Sequence, residues 1–127
     1  MTGSLRYVGP SASLRSVQLR VAAAGMTPYV VGPAGSKAEL IASLAAALHF
    51  PSWAGHGWDA VTDLLADLSW LPPGPLALLW TEPDLLRASD ERAYRIAVEI
   101  LRDATARQVS RPLTVVLIDA QGAPSVS

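Results

Sequence analysis

At 127 residues, with 50% apolar content, ten basic and eleven acidic side chains and no cysteine, the chain makes one domain whose core needs no disulfide or structural metal. The small net charge excludes a disordered chain and a general nucleic-acid binder, and the lack of cysteine excludes thiol catalysis and thiolate metal sites while fitting a reducing compartment. Apolar runs fall short of the ~18 residues of a membrane span, and Arg15, Gln18 and Arg20 interrupt any signal-peptide core, so a cytoplasmic protein with no membrane contact is expected.

Residues 1–12 carry Gly, Ser and Pro and read as a loosely held tail with room for a short strand at Leu5 to Val8. Leu14, Val17, Val21 and Ala24 follow helical spacing, and Gly25 stands where a left-handed C-terminal cap belongs. This places a helix near 13–24. Tyr29, Val30 and Val31, bounded by Pro28 and by Gly32-Pro33, predict a brief buried strand. Ser36 and Glu39 form a capping box, and Leu40, Ile41, Leu44, Ala45 and Leu48 make one face of a helix that Pro51 ends. After a loop with two glycines, Trp58 to Leu68 is the next helix, with Val61, Leu64, Leu65 and Leu68 inward.

Pro72, Pro73, Gly74 and Pro75 make a rigid turn into Leu76 to Trp80, a continuous apolar run typical of a strand covered on both faces. A short helical turn over Pro83 to Ala88 precedes a longer helix from Asp90 to Arg107, with Ala93, Ile96, Ala97, Ile100, Leu101 and Ala104 inward. Leu113 to Ile118 is the last buried strand, and 120–127 read as a tail. Three apolar strands separated by helices imply a small three-stranded parallel α/β sheet with right-handed crossovers, plus an extra N-terminal helix.

Charge is segregated along this plan. From Ala38 to Leu86 there are six carboxylates (Glu39, Asp59, Asp63, Asp67, Glu82, Asp84) and no Lys or Arg. Asp59, Asp63 and Asp67 recur at i, i+4 and i+8, roughly 150° from the apolar stripe of their helix. Like charges at that spacing destabilise an isolated helix. A cationic partner gives the row a purpose.

The run Leu48-His49-Phe50-Pro51-Ser52-Trp53-Ala54-Gly55-His56-Gly57-Trp58-Asp59-Ala60-Val61-Thr62-Asp63-Leu64-Leu65 resembles the barstar family of ribonuclease inhibitors. It is similar to the family pattern of helix, Leu, Pro, aromatic, Gly, then Asn-aromatic/Leu-Asp-Ala and a second Asp four residues on. By order and spacing the resemblance extends over 28–118, leaving 1–27 as an N-terminal extension to a single barstar-like domain. It implies a barstar-like fold and a stoichiometric inhibitor that plugs the active site of a small basic, secreted, guanyl-specific microbial ribonuclease inside the producing bacterial cell. No cofactor, no metal, no direct nucleic-acid contact and a free monomer go with that reading. The same resemblance makes Asp63 the main inhibitory carboxylate, Asp59 its support, Trp53 an aromatic packing over the nuclease's catalytic groups, and Gly55, Trp58 and Thr62 neighbouring contact positions. Asp67 extends the acidic row. Asp103 aligns with a further acidic contact, although Arg102 and Arg107 flank it. Gly57 stands where the family has Asn, which removes one side-chain hydrogen bond to the nuclease, and His56 stands where an acidic or polar residue is common.

Two other readings compete. A hydrolase using His56 with Asp59 lacks a nucleophile elbow or phosphate loop, and His49, His56 and Asp59 have no recognised metal spacing. An immunity or adaptor protein of the same fold that meets a different basic toxin keeps every feature above. Taken singly, a first-turn aspartate such as Asp59 serves the helix dipole, and Trp70 and Trp80 read as core.

Overall fold

The computed structural model describes residues 4–9, 13–107 and 111–118. In chain order the elements are β1 (Leu5–Val8), α1 (Leu14–Ala23), β2 (Thr27–Val31), α2 (Lys37–Ala47), α3 (Trp58–Asp67), β3 (Leu76–Thr81), α4 (Pro83–Ser89), α5 (Glu91–Arg107) and β4 (Leu113–Ile118). The strands form one sheet in the order β1-β4-β3-β2, parallel throughout.

Side chains alternate between the two faces of the central strands, so the apolar runs of β3 and β4 feed two cores. Leu76, Leu78 and Trp80 join Leu113, Val115 and Leu117 beneath α2, α3 and α5. Ala77 and Leu79 join Val116 and Ile118 on the other face, where α1 supplies Val17 and Val21. Helix α1 is held by Ser13, whose hydroxyl accepts from Ser16 N at 3.1 Å, and is stopped at Gly25 in the left-handed region at φ 85°.

The sheet has four strands where three were expected. Leu5–Val8 lies alongside β4 from Leu5↔Val115 to Val8↔Ile118, and Val115 N donates to Ser4 O at 2.8 Å. β4 is apolar on both faces, so an unpaired outer edge would be a ready template for association; β1 covers it. Strand β2 also begins earlier than expected and includes Pro28, which is tolerated because β2 is the opposite edge and the missing N–H removes no ladder bond there.

On α5 the buried face is rotated from the expected one. Tyr94, Val98 and Thr105 are buried with Ala93, Ala97, Leu101 and Ala104, while Ile96 and Ile100 are only half-buried. Tyr94 turns inward against Trp80, with ring centroids 5.8 Å apart, and Arg87 lies 5.7 Å over its ring. The tail expected at 120–127 lies outside the described residues. No helix among the described residues is long and apolar enough to cross a membrane.

The β2 to α2 junction requires glycine. At Gly32 φ is 89°, and a Cβ there would stand 2.7 Å from Thr81 O. Its N–H donates to Ser43 Oγ at 2.8 Å, which ties the junction to α2. The first half of the capping box forms as expected, with Ser36 Oγ accepting from Glu39 N at 3.1 Å, while Glu39 Oε1 reaches one residue further back and accepts from Gly35 N at 2.7 Å.

Candidate partner-binding site

Helix α2 ends at Leu48, and the chain reverses through His49 in the left-handed region at φ 54°. Trp70 anchors this reversal. Its Nε1 donates to Leu48 O at 2.8 Å, and its ring meets Phe50 edge-on at 6.3 Å. Pro51 bars further helix, and a turn in which Ala54 N donates to Pro51 O at 3.0 Å swings Trp53 outward. The indole of Trp53 is 80% exposed. A large aromatic held outside the core on an anchored loop is the kind of surface group found at protein interfaces.

Helix α3 begins at Gly57, extended at φ −104° and ψ 173°, with no side-chain capping bond. Val61, Leu64, Leu65 and the cap residue Leu68 face the core. Asp59, Asp63 and Asp67 are exposed, and none has a cationic partner among the described residues. The far end of the helix is neutralised from 43 residues away in the chain: Arg111 Nη1 donates to Leu68 O at 3.0 Å and to Pro72 O at 3.3 Å. A cation at a helix C-terminus is favourable.

These elements enclose a groove of about 370 Å³ lined by Trp53, Ala54, Gly55, Ala60, Asp63, Leu64 and Asp67. Two carboxylates and an indole face thus share one apolar-floored surface, a combination suited to a cationic side chain. Asp59 stands one turn before Asp63 and does not line the groove. A second hollow of about 290 Å³ shares Ala54 and Gly55 with the first and is lined also by Ile41, Ala42, Ala45, Phe50 and His56.

Trp58 and Thr62 are turned to internal use. Trp58 is half-buried against the main core, and the Lys37 ammonium lies 5.3 Å from its ring centroid. Thr62 Oγ1 donates to Trp58 O at 2.9 Å. Asp103 belongs to a separate groove on α5, with Arg92, Arg95 and Glu99, to which α3 contributes no residue. The small residues Ala54 and Ala60, and Leu64, line the acidic groove without having been singled out; alanine and a helix-face leucine carry no sequence signal for a site. No hydrogen bond among the described residues joins His56 to an aspartate, and no group of three His, Cys, Asp or Glu among them is placed to hold a metal.

A family model described as Barstar (barnase inhibitor) matches residues 31–118. The chain belongs to the barstar family. The barstar match contains the whole of the loop, α3 and the acidic groove, and leaves β1 and α1 outside it. No curated protein matches the chain. Among solved structures, one titled "Structure of Drosophila ORC bound to AT-rich DNA and Cdc6" is similar at 18% identity and a TM-score of 0.55, over 93% of this chain and 40% of that one. At that identity the likeness is one of fold, and this chain spans 40% of the longer one.

Proposed function

We propose that the protein is a one-to-one inhibitor of a small basic, guanyl-specific ribonuclease, covering the nuclease's cationic active site with aspartates carried on α3. One observation carries the reading: Trp53, Asp63 and Asp67 line a single groove inside the segment that matches an inhibitor family. A ribonuclease grips its phosphodiester with cationic side chains, and a carboxylate projected from a helix occupies the same anion site. Asp63 takes that role, Asp59 and Asp67 add field on either side, and Trp53 supplies the rigid apolar anchor typical of interface hot spots. Such an inhibitor acts before its nuclease is secreted, in the cytoplasm of the producing cell.

Gly57 favours a second reading. Its bare cap offers no side chain to the nuclease, so an immunity protein of the same fold directed at a different basic toxin uses the same groove. Titrating RNA cleavage by a panel of guanyl-specific ribonucleases separates the two. Inhibition that ends at equimolar protein supports the first, and full activity at excess protein across the panel moves the assignment to the second.

A further inference from the structure

Among the described residues a single helix lies on the sheet face opposite α3, where Ala77, Leu79, Val116 and Ile118 are buried. That helix, α1, packs on β2 and β3. Between it and β1 runs a groove of about 260 Å³ whose floor includes Val17, Val21, Met26 and Val116, flanked by Arg6 from β1 and Arg20 from α1. Arg6 Nε donates to Ser4 Oγ at 3.3 Å, and neither guanidinium has a carboxylate partner among the described residues. Asp119, next to β4 in sequence, lies outside them. Arg6, Arg15, Arg20 and Lys37 all precede the first carboxylate of the chain, Glu39.

We propose that this basic groove receives the Trp53 face of a second copy of the chain, the indole entering the apolar floor while Asp63 and Asp67 meet Arg6 and Arg20. Each surface offers what the other lacks. One presents an exposed aromatic and two carboxylates with no cationic partner among the described residues; the other is an apolar hollow flanked by two guanidiniums with no carboxylate partner among them. Because α1 and α3 pack on opposite faces of the sheet, the two surfaces cannot meet within one copy. The contact joins unlike patches, so it runs head to tail and builds a ring or an open chain according to its rotation. It also covers the acidic groove, so a second copy competes with a cationic partner for α3. The expectation of a free monomer then holds only in dilute solution.

Exposed charge pairs are individually weak, so the contact belongs to high concentration and low salt. Sedimentation velocity from about 10 µM to about 1 mM is expected to show a rising weight-average coefficient at low ionic strength, with the association constant falling about tenfold or more near 0.5 M salt as the charges are screened. Arg6→Glu/Arg20→Glu and Trp53→Ala each lose self-association while keeping the wild-type circular dichroism spectrum. Mixed together they form a 1:1 complex and nothing larger, because one retains the intact Trp53 face and the other the intact groove. A wild-type chain that stays monomeric over the whole range at low salt overturns the proposal and leaves the groove to a different acidic partner. Self-association that survives both variants, or a mixture that forms no complex, overturns it equally. If the double variant fails to fold, Arg20→Gln paired with Trp53→Ala gives the same complementation. No nuclease enters the experiment, so its failure is independent of the inhibitor reading.

Discussion

Helices α3 and α5 pack on the same core yet treat their outward faces in opposite ways. On α5 the first turn is capped, with Asp90 Oδ1 accepting from Ala93 N at 3.1 Å. Its surface interleaves both signs, as in Glu91 and Arg95 four residues apart. On α3 the cap is a glycine with no side-chain bond, and the surface repeats one sign at Asp59, Asp63 and Asp67. Helix α5 follows the rules that stabilise an isolated helix; α3 forgoes a side-chain cap and breaks the charge rule on the side that carries the exposed tryptophan. A local rule broken beside an exposed aromatic marks a surface kept for a partner.

Several changes sharpen or break this contrast. The largest effect comes from the core beneath both helices: Leu65 is fully buried, and Leu65→Ala is expected to cost on the order of 2–5 kcal/mol in a urea melt. Leu65 serves this test better than Leu64, which also lines the acidic groove. Next is the cap of α5, where Asp90→Ala is expected to lose about 1 kcal/mol by the same measurement, while Gly57→Ser at the start of α3 gains a few tenths. Equal losses at both positions would end the contrast between the caps. The smallest effects differ in sign. Glu91→Gln on α5 loses roughly 0.2–0.5 kcal/mol by removing a carboxylate four residues before Arg95, whereas Asp67→Asn on α3 gains a similar amount by relieving like charge at i,i+4. Stopped-flow binding adds a kinetic check: the on-rate for a cationic nuclease is expected to fall as salt rises, since exposed carboxylates steer encounter through fields that ions screen.

Much of this contrast is legible in the residues themselves. The 3.6-residue period separates Val61, Leu64, Leu65 and Leu68 from the aspartate row, and Pro51 with two glycines marks the loop that turns Trp53 outward. Legibility fails where a position depends on distant partners. The short strand at Leu5 to Val8 is legible, but its membership of the sheet is not: with Arg6 and Tyr7 exposed it shows no apolar run, and it pairs because β4 has an edge to cover. Arg111 on the end of α3 and Lys37 over Trp58 are contacts across the fold that no local pattern announces. On α5, Ile96 and Tyr94 both fit an inward stripe by period, and contacts from outside the helix, the Trp80 ring among them, favour Tyr94.

The central claim is that Asp63 serves the partner and not the fold. Its most direct test is the inhibition constant of Asp63→Asn against a guanyl-specific ribonuclease, measured on protein whose urea midpoint is first shown to match the wild type. Removing one member of a desolvated charge pair costs about 2–5 kcal/mol, so the constant is expected to rise about 30-fold or more. Inhibition at the wild-type level by the folded variant would contradict the account.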